Sequence, residues 1–150
     1  MGGGKTMKTV MMGAGAMGSL FGGLLTRVGE EVWLVGNRKE QIDPICSVGL
    51  TFEEKGKLQI IPMNATSDVT SVGKADLVIF FIKTYHTEKA VSDALVLEKE
   101  ETIFLTLQNG LGNEEVICKK IDRKKVMLGI TGHGATLLKP GHIRHAGWGK

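Results

Sequence analysis

Several absences narrow the reading before any motif is found. The longest uninterrupted apolar run, residues 77–82, is the length of a strand, whereas a bilayer span needs about 20 apolar residues. Residues 1–7 lack the apolar h-region of a secretory signal and read as a flexible leader. Aromatic residues make up 5% of the chain and the net charge is only +3, so neither a base-stacking surface nor a dense basic stripe is present. Membrane and nucleic-acid partners are therefore not expected. The two cysteines, Cys46 and Cys118, lie far apart and outside any Cys-x-x-Cys spacing. They read as reduced thiols of a cytoplasmic protein. No standard zinc spacing occurs among the histidines. His133, His142 and His145 are accordingly read as structural or surface groups, and no metal is expected. With 42% hydrophobic and 23% charged residues in 150, the chain can build one domain with a real core.

What is present is organised around residues 8–26, KTVMMGAGAMGSLFGGLLT. An apolar run stops at Gly13. Gly13, Gly15 and Gly18 then stand in G-x-G-x-x-G spacing, and Leu20, Phe21, Leu24 and Leu25 recur at helical spacing behind them. Strand, glycine turn and helix together form the context in which this pattern points to a dinucleotide. Gly13 allows the tight turn, Gly15 lets a pyrophosphate approach the backbone, and Gly18 lets the helix pack close to the strand. The N–H groups and dipole of the helix N-terminus face the phosphates. Gly4-Lys5-Thr6 imitates the end of a P-loop, but its first glycine would have to precede Met1.

Taken in order, residues 8–12 predict strand one, 16–28 the first helix and 31–35 strand two. Gly36-Asn37-Arg38-Lys39 follows, where an NAD site places a carboxylate against the ribose 2′-hydroxyl. An amide and two cations stand there instead, which favours NADP(H); an ordinary basic turn is the plain alternative. Residues 41–48 predict a short helix interrupted at Pro44. Residues 49–54 and 58–63 bracket a hairpin inserted into the main plan, and 66–70 form a short strand. The run 76–83, DLVIFFIK, is that of a strand buried on both faces of a parallel sheet. A helix over 87–96, a strand over 102–107, a helix over 112–121, a strand over 125–131 and two strands around Pro140-Gly141 complete the chain. Alternating strands and helices imply an α/β, Rossmann-like doubly wound fold, with a mostly parallel sheet and flanking helices over residues 8–150.

Ligands bind beyond the carboxyl ends of such strands. The glycine loop, Asn37 and Arg38, Lys83 and Asn109 all fall there. Lys83 can hold a substrate carboxylate, orient a nicotinamide ribose or donate a proton; equally, it can be a lysine snorkelling from the sheet edge. Asn109 can fix a ribose hydroxyl or a carboxamide, and it also suits the Asn-Gly turn.

These segments resemble a known family. GAGAMGSLFGGLL, IKTYHT with Lys83, LQNGLGNEE with Asn109 and GITGHGATLLKPGHIRHAGWGK look like the N-terminal half of ketopantoate reductase (2-dehydropantoate 2-reductase). The resemblance implies NADPH-dependent reduction of a small 2-oxo acid, ketopantoate, to pantoate on the way to pantothenate and coenzyme A. It places cofactor contacts on Gly13, Ala14, Gly15, Ala16, Met17, Gly18, Lys83, Asn109 and Ala135. The family's arginine after strand two corresponds to Asn37, with Arg38 next. It also implies a helical C-terminal domain carrying the proton-donating lysine, absent from these 150 residues. On that reading the chain holds the cofactor but has little activity alone. The apolar flank left uncovered favours association, such as a homodimer. A reductase of another 2-oxo acid and a non-catalytic NADP-binding module remain as alternatives. S-adenosylmethionine binding is disfavoured by the missing acid after strand two.

Overall fold

The computed structural model describes residues 6–83, 86–108 and 112–148. Along them run β1 (Lys8–Met12), α1 (Ala16–Arg27), β2 (Glu31–Val35), α2 (Lys39–Ser47), β3 (Leu50–Glu54), β4 (Lys57–Ile61) and β5 (Asn64–Thr66). After these come β6 (Leu77–Phe80), α3 (Thr87–Ala94), β7 (Ile103–Thr106), α4 (Asn113–Cys118), β8 (Val126–Leu128), β9 (Gly134–Lys139) and β10 (His142–Gly147). Short 3-10 turns lie at Val69–Ser71, Leu95–Leu97 and Arg123–Lys125.

Six strands form a sheet in the order β5-β2-β1-β6-β7-β8, and every pairing is parallel. The order turns back between β2 and β6 on either side of β1, which is the switch point of a doubly wound sheet. The registers align the last residue of every strand: Thr66 pairs with Val35, Val35 with Met12, Met12 with Phe80, Phe80 with Thr106 and Thr106 with Leu128. All six strands thus end in one row, and their following loops leave from a single edge.

The central strands are covered on both faces, as the continuous apolar runs predict. Val10, Met12, Val78, Phe80 and Phe104 pack with Val91, Ala94, Leu97 and Ile117 from the α3 and α4 side. Met11, Leu34 and Ile79 pack with Leu20, Ile42, Ile45, Leu50, Phe52 and Ile143 on the other. Phe80 and Phe104 stack with centroids 6.3 Å apart.

A second sheet, β4-β3-β10-β9, pairs β3 with β4 and β10 with β9 antiparallel and β3 with β10 parallel. Helix α1 lies between the two sheets. A Cβ at Gly22 would come within 2.9 Å of Leu34 of the first sheet, and one at Gly23 within 3.0 Å of Leu50 and 3.1 Å of Phe52 of the second. Glycines on opposite faces let one helix sit close to both.

Most predicted elements are present, with four corrections. The hairpin is no isolated insertion: with the two last strands it builds the second sheet. Helix α2 runs through Pro44, which forgoes one backbone bond without ending so short a helix. The strand expected over 66–70 ends at Thr66, because the Asp68 side chain accepts from the Thr70 N–H and starts a 3-10 turn. The strand expected over 125–131 ends at Leu128, and Ile130 is 99% exposed. Cys46 and Cys118 are unpaired. Among the described residues no helix is long and apolar enough to cross a membrane.

Phe104→Ala empties a fully buried site between two sheet strands and their helices. It is expected to cost about 3–5 kcal/mol in denaturant unfolding. Ile130→Thr, at a fully exposed position, is expected to change stability by less than about 0.5 kcal/mol.

Candidate functional site

The site begins where β1 ends. Gly13 has φ +124°, and a Cβ there would lie 2.3 Å from the Phe81 carbonyl oxygen. A Cβ at Gly18 would lie 1.9 Å from the Gly13 carbonyl oxygen. The first glycine makes the turn, and the third lets α1 rest on the turn itself. Gly15 differs: nothing lies within 4 Å of its missing Cβ. It is the N-cap of α1 and offers no side-chain acceptor to the first-turn N–H groups. An open approach therefore leads straight to the positive end of a helix. The arrangement suits a diphosphate, which supplies both the charge and the acceptors.

Two adjoining cavities share Gly15, Phe81, Ile82 and Lys83 as a common wall. One, about 470 Å³, reaches toward β2 and is lined by Gly13, Ala14, Gly15, Asn37 and Arg38, with Ser67 and Lys89 opposite. The other, about 660 Å³, lies toward β7 and is lined by Gly15, Ala16, Met17 and Lys83 together with Gln108, Thr131 and His133. The structure thus brings the glycine loop, Asn37, Arg38 and Lys83 together along one groove. Asn109 lies outside the described residues. Gly18 is buried in packing rather than lining either cavity. Ala135 sits on β9 opposite His145 and packs against the core around α1, because the β9 pleat turns it inward. It lines neither of these cavities.

Three residues outside the sequence-based expectations shape the groove. Gln108 Nε2 donates to the Ile82 carbonyl at 2.7 Å and to Thr87 Oγ1 at 3.0 Å, while Thr106 Oγ1 donates to Gln108 Oε1 at 2.9 Å. This side chain ties the β6 exit to the β7 end and to the start of α3. Gln41 is buried on α2; its Nε2 donates to the Ala14 carbonyl at 2.8 Å and its Oε1 accepts from the Gly141 N–H at 3.0 Å. It fastens the glycine loop to the β9–β10 turn. Lys89 adds a cation from α3. Only Gln108 carried a signal in sequence, its place directly after a buried strand.

The cations toward β2 already have partners. Arg38 Nε donates to Glu40 Oε1 at 3.0 Å, and Lys89 pairs with Asp93 at 2.7 Å. The Glu40 carboxyl is held below its ordinary value, first by its own backbone N–H and then by Arg38.

Of the structural and surface readings of the histidines, His145 takes the structural one. His145 is buried, and its Nδ1 lies 3.2 Å from Glu54 Oε2. Its Nε2 lies 3.1 Å from Nδ1 of His133. Burial pushes the Glu54 carboxyl up, but hydrogen bonds from His145 and Arg27 outweigh it and hold the carboxyl below its ordinary value. Among the described residues no group of three or more His, Cys, Asp or Glu is placed to hold a metal ion.

A carboxyl with a lowered native pKa stabilises the fold fully above its unfolded value and loses that contribution as pH falls through the native one. Glu54→Gln is therefore expected to lower the urea midpoint at pH 7. The gap to wild type should close as pH falls below the ordinary carboxylate value of 4.5, as read by paired urea titrations across that range.

With this geometry in place, comparison with known proteins is informative. Residues 9–150 match the family described as ketopantoate reductase PanE/ApbA. The chain is 36% identical over 145 residues to a 2-dehydropantoate 2-reductase of Halobacterium salinarum, covering 96% of this chain and 48% of that protein. It is 42% identical over 143 residues to one of Pyrococcus horikoshii, covering 95% and 46%. Among solved structures, a D-mandelate dehydrogenase in ternary complex with NADH and anilino(oxo)acetate superposes with a TM-score of 0.89 at 35% identity, over 94% of this chain and 46% of that one. A PanE/ApbA family ketopantoate reductase from Ralstonia eutropha superposes with a TM-score of 0.87 at 33% identity, over 94% and 47%. The chain spans about half the length of the curated relatives it matches. With the family matched from the first strand to the last residue, this chain belongs to the ketopantoate reductases.

Proposed function

We propose that this chain is the cofactor-holding half of an NADPH-dependent reductase of 2-dehydropantoate, and that it has little turnover by itself. The observation that carries the proposal is the open Gly15 at the N-terminus of α1, set midway along a groove that every central strand of the sheet feeds from its carboxyl end. When bound, the reduced nicotinamide supplies the hydride. The N–H groups of Ala16, Met17 and Gly18 hold the diphosphate. Asn37 and Arg38 receive the 2′-phosphate at the β2 end, where no carboxylate follows the strand directly to repel it. Lys83, on the wall common to both cavities, orients the nicotinamide ribose or the substrate carboxylate, and Asn109 fixes the same half.

Reduction also needs a proton delivered to the developing alkoxide and an enclosed substrate. The family's remaining length is the proposed source of both. Met127, Leu128 and Ile130, apolar and exposed at the β8 edge, are the surface on which such a domain, or a second copy of the chain, would pack. The likeness to D-mandelate dehydrogenase supports a second reading, reduction of another small 2-oxo acid. A panel of 2-oxo acids assayed on a protein of the family's full length separates the two.

Calorimetric titration tests the cofactor reading. NADPH and NADP+ are expected to bind more tightly than NADH, and Gly15→Val, which fills the open approach, is expected to abolish binding. Asn37→Asp should weaken NADPH at least about tenfold and NADH far less, since the carboxylate repels the 2′-phosphate. Equal binding of NADH and NADPH to the wild type would remove the phosphate assignment. A turnover assay with ketopantoate and NADPH on these 150 residues should give almost no rate; a rate near that of a full-length relative would overturn the division of labour. Light scattering is expected to show association at working concentration, and a strictly monomeric mass would count against the packing surface.

A further inference from the structure

His133 and His145 enter no part of the reading above, yet their geometry is specific. The His145 side chain is 1% exposed, and both of its ring nitrogens are satisfied, by Glu54 at 3.2 Å and by His133 at 3.1 Å. Trp148 stacks on it with centroids 3.8 Å apart, and Phe52 meets it edge-on. His133 is wedged against Phe21 and Trp148, and its ring forms part of the wall of the larger cavity beside Lys83 and Gln108. The chain of bonds therefore runs from a carboxylate on the second sheet into the groove.

The order of donors follows from the far end. An ionised Glu54 can only accept, so His145 Nδ1 carries a proton toward it. With that proton on Nδ1, an imidazole at His145 presents a lone pair at Nε2 that can accept from His133 Nδ1–H at the observed 3.1 Å. That leaves Nε2 of His133 as an acceptor. We propose that His133 is a positioning residue for the nicotinamide half of the cofactor, that it accepts a hydrogen bond from an amide or hydroxyl donor there, and that Glu54 sets this role through His145. The proposal rests on the cofactor reading given above. It assigns to the second sheet a duty in the groove that the parallel sheet does not supply.

Two measurements on the 150-residue chain test it. Long-range nitrogen–proton correlation spectra of the free protein read the tautomers directly. Both His145 and His133 are expected to carry the proton on Nδ1, the minor tautomer of an unconstrained imidazole, and Glu54→Gln is expected to return His133 to a mixture. Calorimetry then compares NADPH with adenosine 2′,5′-bisphosphate, the adenine half of the same cofactor. His133→Phe keeps the ring packing and removes the acceptor. With either variant, NADPH should bind about fivefold more weakly, as the loss of one hydrogen bond predicts, while the bisphosphate binds unchanged. Equal weakening of both ligands, or of neither, would overturn the positioning role and leave the cofactor reading intact. A His133 found with its proton on Nε2 would overturn the lock. Failure of the wild type to bind either ligand would overturn the cofactor reading, and this proposal with it.

Discussion

The fold depends on how closely α1 lies to what surrounds it. Gly18 rests on the turn at Gly13, Gly22 faces Leu34 of the parallel sheet, and Gly23 faces Leu50 and Phe52 of the mixed sheet. A methyl group at any of the three would press on a carbonyl or on a buried side chain, in an interior packed like an organic crystal. Glycine within a helix costs about 0.5–1 kcal/mol each relative to alanine. Here that cost is offset by burial on two faces, with Leu20 fully enclosed between them. The same closeness delivers the N-terminus of α1 to the end of β1, so the packing that stabilises the core also sets the open helix end in the groove.

The parallel register does the rest of the positioning. Because the last residues of β2, β1, β6 and β7 pair with one another, the loops that follow them start side by side. Two glutamines then brace those loops. Gln108 spans from β7 to the β6 exit, and Gln41 spans from α2 to the glycine turn and to Gly141. Both use a side chain that donates and accepts at once. That is what is needed to join a carbonyl to an N–H or hydroxyl across a gap too wide for a direct backbone bond. These bonds brace the groove on both sides of Gly15.

The parallel sheet was legible because its signals are local. The run DLVIFFIK can be buried only on two faces, and the glycine spacing names the turn. The second sheet was legible only as separate strands. These strands are half-polar, and nothing in residues 57–61 or 134–147 says which neighbours they choose. The parallel pairing of β3 with β10 joins segments some 90 residues apart, a contact no short window contains. The same distance hid the histidines. Glu54 and His145 are unremarkable alone, and their bond exists only because the two strands are adjacent.

The two ends of the groove work by different electrostatics. Toward β2, Arg38 and Lys89 are exposed and already paired with Glu40 and Asp93. Exposed pairs of this kind are worth roughly 0–1 kcal/mol, so under the proposed reading an arriving phosphate would displace a carboxylate at small cost. It would gain charge-assisted hydrogen bonds from the guanidinium in return. Selection there would be an exchange of anions, weakened by salt. Toward β7, on the proposed tautomers, the histidine chain ends in a lone pair inside an aromatic surround, with its orientation set from the half-buried Glu54 carboxylate. Recognition there depends on which atom donates and which accepts, and salt has little hold on it. On that reading, the groove would grip the phosphate end of a dinucleotide loosely enough for exchange and hold the nicotinamide end by geometry.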